Sequence, residues 1–124
     1  MIVAGFGFRT SAGPESLRDA LARAGQRPQR IATAEDKATS RAFIDFAQAE
    51  ALPAQAIPPD ALTAQVTLTA SSRVLAERGT GSVAEAAALA AAGPGARLLG
   101  PRVFSSDRMA SCALALQDLE GQDT

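Results

Sequence analysis

Lys37 is the only lysine among twelve basic residues, the other eleven being Arg. An ammonium can be desolvated to serve as base or nucleophile, which a guanidinium does not readily do, so a single lysine between a strand and a helix is a candidate for proton transfer. Its plainer role is a solvated charge paired with Asp36 or Glu35. Glu85 stands three residues after Ser82. That is the spacing of a capping box, in which the two side chains satisfy backbone N–H groups reciprocally, and it also sets a carboxylate beside the Gly79-Thr80-Gly81-Ser82 turn. Lys37 and Glu85 are the candidate catalytic residues, each with its plainer structural role beside it. There is no His, Trp or Tyr and one Cys, so a Ser-His-Asp or Cys-His pair and a zinc site built on repeated His and Cys are excluded.

Gly5-x-Gly7 begins like a dinucleotide fingerprint, but Thr10 occupies the place of the third glycine. Two other readings suit the same residues. Glycines on one strand face let a helix pack closely, and bare backbone followed by Arg9, Thr10, Ser11 and a helix N-terminus suits an anionic ligand. Arg102 and Arg108 flank a terminal hairpin, as solvated edge residues or as further positive charge. Cys112, in an apolar strand with no imidazole to activate it, reads as a small buried hydrophobe.

Several elements must position these groups. Residues 2–8 alternate Phe6 and Phe8 against Val3, Gly5 and Gly7, the period of a strand. Pro14 opens a helix running to Ala24, with Leu17, Ala20, Leu21 and Ala24 on one face and Asp19 and Arg23 paired one turn apart. A second unit repeats the order: strand Arg30–Ala34, a polar loop through Lys37, and a helix over Phe43 and Phe46 to Leu52 before Pro53. Ala54–Ile57 reads as a third strand, and Pro58–Leu62 as a turn. Strands alternating with helices imply an α/β sheet with parallel neighbours.

The second half predicts a helix from Ser71 to Arg78 ended by Gly79, then an alanine helix after Ser82 that Gly93-Pro94-Gly95 terminates. The runs 97–104 and 109–116 predict a C-terminal β-hairpin, followed by a polar, frayed tail from Gln117. The 124 residues fit one domain, residues 1–116, without linker or repeat. Apolar residues make up 47% of the chain and alanine is half of them, so the core must close by near approach of backbones. A net charge of -1 and five Phe as the only aromatics argue against nucleic-acid binding. Met1 leads into Ile2-Val3-Ala4 with no basic leader and no long apolar stretch, so a cytoplasmic protein without membrane attachment is expected. No metal and no cofactor are expected.

Gly5-Phe6-Gly7-Phe8-Arg9-Thr10-Ser11, the loop ending in Lys37, the run Gly79-Thr80-Gly81-Ser82-Val83-Ala84-Glu85-Ala86-Ala87-Ala88-Leu89, and Ala110-Ser111-Cys112-Ala113-Leu114-Ala115 follow one another in a familiar order and spacing. Over essentially the whole chain they resemble the cobalamin-biosynthesis CobE family, similar to the C-terminal domain of the larger CbiG proteins. The Gly79–Leu89 run is the most specific piece. The family often has cysteine where Phe8 stands and lysine where Arg102 stands; no thiol role passes to Phe8, and only a point-charge role passes to Arg102.

The resemblance implies a single three-layer α/β/α domain with a mixed sheet, acting in corrin-ring construction. Corrin precursors are flat, apolar-faced macrocycles fringed with carboxylates, and need an apolar floor with positive charge or N–H groups at its rim. The expected ligand is a precorrin or corrin intermediate. Gly5 and Gly7 would open the floor, while Arg9, Thr10, Ser11, Gly81, Ser82, Arg102 and Ser111 would bind the ligand, with Lys37 pairing with a carboxylate or handling a proton. A carrier or accessory role beside pathway methyltransferases is the first reading. The alternatives are a hydrolase that opens a ring lactone with loss of a two-carbon fragment, using Lys37 or Glu85 as base and Arg9 on the oxyanion, and a nucleotide- or phosphate-binding regulator.

Overall fold

The computed structural model describes residues 1–117. Its elements are β1 (Ile2–Phe8), α1 (Pro14–Ala24), β2 (Arg30–Ala34), α2 (Glu35–Ala38), α3 (Arg41–Glu50), β3 (Ala54–Ile57), α4 (Pro59–Thr63), α5 (Ser72–Arg78), α6 (Val83–Ala92), β4 (Arg97–Leu98), β5 (Val103–Phe104) and β6 (Ala110–Leu116). The sheet runs β3-β2-β1-β6-β4, with β5 also paired to β6. β1, β2 and β3 are parallel, whereas β6 runs antiparallel to β1 and to both short strands. This is the expected α/β fold with a mixed sheet.

The alternation along β1 divides the core. Ala4 and Phe6 join Leu17, Phe43, Phe46, Cys112 and Leu114 beneath α1 and α3. Val3 joins Ala32, Ile57, Leu62 and the alanines of α6 on the opposite side. The two apolar layers bury the sheet on both faces, as parallel strands require. Cys112 is fully buried, and desolvation pushes its thiol pKa far up, so it packs as a small hydrophobe.

Close approach of α6 to β1 follows from Gly5. A Cβ there would run into the Ala84 carbonyl oxygen and the Ala88 amide nitrogen, which are backbone atoms that cannot swing aside. Ala84 and Ala86–Ala88 are fully buried. Methyl side chains let the helix axis settle where Leu or Val would hold it off.

Several expectations need correction. Lys37 lies within the one-turn helix α2 and not in a loop, and the Pro58–Leu62 turn is the short helix α4. The helix before Pro53 stops at Glu50, with Ala51 in the left-handed region at φ 56°. The run 97–104 is not one strand. Leu99 still donates to Leu114 O at 2.9 Å, but the segment from Leu98 to Val103 is longer than its counterpart Cys112–Ala115 and bows away through Gly100-Pro101, where proline has no N–H to pair. Gln117 is not frayed: its N–H donates to Met1 O at 3.0 Å and its side chain donates to Pro94 O at 2.9 Å. The rest of the tail, 118–124, lies outside the described residues.

The β1–α6 contact predicts that even Gly5→Ala is disruptive. Overpacking against backbone should lower the unfolding free energy by about 2–3 kcal/mol in urea denaturation. An unchanged midpoint and slope would show that α6 can move off the strand.

Candidate functional site

Parallel β1 and β2 end at the same edge of the sheet, and β6, running the other way, begins there. Ligands of open α/β sheets collect outside the carboxyl ends of parallel strands, and here a cleft of about 730 Å³ opens at that edge. Its walls come from the segment after β1, from α2, from α5, and from the β5–β6 hairpin.

Two phenyl rings form its apolar patches. Phe8 is stacked on Phe43 at 6.0 Å between centroids and 6° between planes, and Lys37 Nζ sits over the Phe8 ring at 5.3 Å. The same Nζ donates to Thr10 Oγ1 at 3.2 Å. On the hairpin side, Phe104 carries two guanidiniums, with Arg102 Cζ at 5.1 Å and Arg108 Cζ at 4.5 Å from the ring centre. Cations over ring faces are attracted by the ring quadrupole, which holds both charges near one place without neutralising them.

The charge balance of the cleft contrasts with that of the chain. Six cations line it: Arg9, Lys37, Arg73, Arg78, Arg102 and Arg108, against the two carboxylates of Asp36 and Glu77. Both carboxylates are engaged. Asp36 accepts a two-point contact from Arg78 at 2.6 and 2.9 Å, and that guanidinium holds its pKa below the ordinary aspartate value. Glu77 lies 3.7 Å from Arg73. Among the described residues Arg9, Lys37, Arg102 and Arg108 have no carboxylate within ion-pair distance. Four cations without an ion-pair partner among the described residues therefore surround the apolar rings of the cleft.

A family model described as cobalamin synthesis G C-terminus matches residues 2–115. The chain belongs to that family. This family member is similar to the solved structure of CobE, a protein from the cobalamin (vitamin B12) biosynthetic pathway, with 35% identity and a TM-score of 0.82 over 93% of this chain and 89% of the other. It is also similar to the cobalamin biosynthesis protein chiG from Agrobacterium tumefaciens strain C58, with 30% identity and a TM-score of 0.74 over 95% and 99% of the two chains. A comparison with curated proteins gives no match. This CbiG C-terminal family chain is thus a protein of the cobalamin biosynthesis pathway.

In this CbiG C-terminal family chain the structure gathers Gly7, Arg9, Thr10, Ser11, Lys37, Arg102 and Ser111 around the cleft. Ser111 donates to Gly7 O at 3.3 Å across the β1–β6 pair. Gly5, Gly81, Ser82 and Glu85 are elsewhere. Gly5 faces α6 and leaves the floor to Gly7, because the strand period turns the two glycines to the same face at different depths along the helix. Gly81 is buried under the segment 67–70, where a Cβ would meet Thr69 O at 2.5 Å and Thr67 Oγ1 at 2.7 Å. Ser82 and Glu85 are fully buried.

Only half of the capping box forms. Ser82 Oγ accepts from Glu85 N at 3.2 Å, but the Glu85 carboxylate turns away from the helix end. Burial pushes its pKa up, yet N–H donors from Arg102, Thr69 and Leu68 and the Thr69 hydroxyl outweigh that and hold the pKa below the ordinary glutamate value. Nor does Lys37 pair with Asp36, which Arg78 has taken.

Arg73 and Arg78 are site residues that the sequence pattern does not single out. They lie on a short helix with no buried residue, and nothing local distinguishes them from solvated charges. The hairpin turn carried a clearer signal in Ser105-Ser106-Asp107. Asp107 accepts from Ser105 Oγ at 2.6 Å, Ser16 Oγ at 2.5 Å and Met109 N at 3.0 Å, while Asp19 on α1 accepts from Ser106 N at 2.7 Å. The turn is thereby fixed to α1. It sets Arg108 at φ 60°, an unusual conformation for a non-glycine residue, with its guanidinium on Phe104.

The Ser105 and Ser16 hydroxyls and the Met109 N–H lower the Asp107 pKa to about 2 from an ordinary 3.8. A pKa depressed on folding stabilises the fold above the unfolded value, and that stabilisation is lost as pH falls through the folded value. Unfolding free energy should therefore fall between about pH 4 and pH 2. Asp107→Asn should remove part of that dependence while lowering stability at pH 7, as measured by urea titrations across the range. Parallel pH profiles for the two proteins would contradict the assignment.

Proposed function

We propose that this chain binds a corrin-ring intermediate whose side chains are free carboxylates, holding the ring in the cleft at the ends of β1 and β2. The observation that carries the reading is the set of cations without an ion-pair partner among the described residues, Arg9, Lys37, Arg102 and Arg108, the last three lying over Phe8 and Phe104. Phenyl faces suit the apolar faces of the macrocycle. The cations suit its rim, where charge-assisted bonds to carboxylates are stronger than neutral ones. A binding protein of this kind carries its ligand to or from the pathway methyltransferases, and does so without chemistry of its own.

One contact favours a second reading. Lys37 beside Thr10 places an amine next to an alcohol at the cleft mouth, which fits hydrolytic opening of a ring lactone, with Lys37 moving the proton and Arg9 steadying the oxyanion. Release of a two-carbon fragment as acetaldehyde from a lactone-bearing intermediate, abolished in Lys37→Ala, would establish turnover. Nucleotide binding through the glycine loop has less behind it, since Gly5 packs on α6.

Absorbance titration with cobyrinic acid, a corrin bearing free carboxylates, tests the binding reading against the same ring with those groups amidated. Tight binding of the acid, weakened by added salt, and weak binding of the amide are expected. Arg108→Ala and Lys37→Ala should each reduce affinity for the acid about tenfold, which is roughly 1.4 kcal/mol for each charge-assisted bond removed. Equal affinity for acid and amide, or no affinity for either, would refute it.

A further inference from the structure

Glu85 belongs to no wall of the cleft, yet it touches what builds two of them. Its Oε1 accepts from Leu68 N at 2.6 Å and Thr69 N at 2.9 Å, and its Oε2 accepts from Thr69 Oγ1 at 2.8 Å and Arg102 N at 2.9 Å. The first three donors lie on the strap between α4 and α5. The strap continues into Ser71, whose N–H donates to Gly81 O at 2.9 Å and whose hydroxyl caps α5, the helix bearing Arg73 and Arg78. The fourth donor is on the bowed link between β4 and β5, and it belongs to the residue whose guanidinium lies on Phe104. The Gly81 carbonyl makes a second crossing, accepting from Ser71 N and, at 3.5 Å, from Arg102 Nη1.

α5 has no buried residue, and after Leu99, which packs on the core and donates to Leu114 O, the link leaves its strand partner over Gly100–Arg102, so neither α5 nor that stretch is located by apolar packing or by a continuous β-ladder. We propose that Glu85 is a positioning residue for the cleft: one buried carboxylate, set on α6, fixes the strap leading into α5 and the Arg102 backbone relative to each other, and thereby the spacing between the two arginine walls. This rests on the binding reading above for its consequence, since the spacing matters only if one ligand spans both walls.

A carboxylate is required because all four partners donate. In Glu85→Gln the amide oxygen can keep the two strap N–H bonds, but its NH2 then faces Arg102 N–H, a donor that cannot reverse. The Thr69 hydroxyl can rotate to accept. The substitution should therefore release the Arg102 side selectively.

Amide hydrogen exchange on the ligand-free protein reads this directly. Glu85→Gln is expected to speed exchange at Arg102 about tenfold or more, and at Leu68 and Thr69 by much less. In cobyrinic acid titrations Glu85→Gln should weaken affinity about as much as Arg102→Ala, and the double variant should be no weaker than either single one, because both remove the same interaction. Unchanged exchange at Arg102, or additive effects in the double variant, would overturn the proposal. If the parent protein takes up no cobyrinic acid, the binding reading fails on its own and exchange alone decides the positioning role. Should Glu85→Gln fail to fold, Thr69→Val removes a single hydroxyl donor from the same carboxylate. Faster exchange at Leu68 with affinity reduced about threefold would support the role, and unchanged values of both would overturn it.

Discussion

The close approach of α6 to β1 is the constraint on which the rest depends. Gly5 has no side chain and Ala84 and Ala88 have methyl groups, so helix and strand backbones come into contact along the middle of the sheet. That contact sets the depth of every group at the N-terminal end of α6. It buries Ser82 and Glu85, and it leaves Val83 at the cleft beside Gly7. A larger residue at position 5 would lift the helix and carry Glu85 away from the donors that converge on it.

From this seam the site divides by mechanism of placement. The Phe8 and Lys37 side is held by core packing, since Phe8 stacks on Phe43 and Phe43 meets Phe6 edge to face at 6.3 Å. The hairpin side is held by hydrogen bonds from α1 through Ser16 and Asp19. The α5 side has the least apolar support, resting on its caps, on the strap and on the Arg78–Asp36 pair. Exposed ion pairs contribute little to stability, so α5 is the wall held least firmly.

The positive character of the cleft is a local property of an acidic chain. With thirteen acidic residues against twelve basic ones, overall charge gives no hint of it. The fold separates the signs. Asp19, Glu50 and Asp107 are occupied with α1, α3 and the hairpin turn, and Glu85 is buried among N–H donors, so the open end of the sheet retains the cations. Low acidity at the mouth is combined there with the two phenyl faces of Phe8 and Phe104.

Strands β1, β2, β3 and β6, the long helices, the faces of β1 and the burial of Cys112 were legible in the sequence, because period-two and period-3.6 patterns and the Pro and Gly stops are local signals of backbone geometry. So were Arg9, Thr10, Ser11 and Lys37, which follow the carboxyl ends of strands and are carried to the cleft by that position alone. The direction of Glu85 was not legible. Its sequence partner was Ser82, while its actual partners, Leu68, Thr69 and Arg102, arrive from segments with no periodic pattern. Gly5 and Gly7 looked equivalent in sequence, and only the packing of α6 gave one to the helix and the other to the cleft. Local periodicity encodes which face of an element is apolar, whereas the choice among polar partners is made by long-range approach of chain segments, and that is a property of the folded structure.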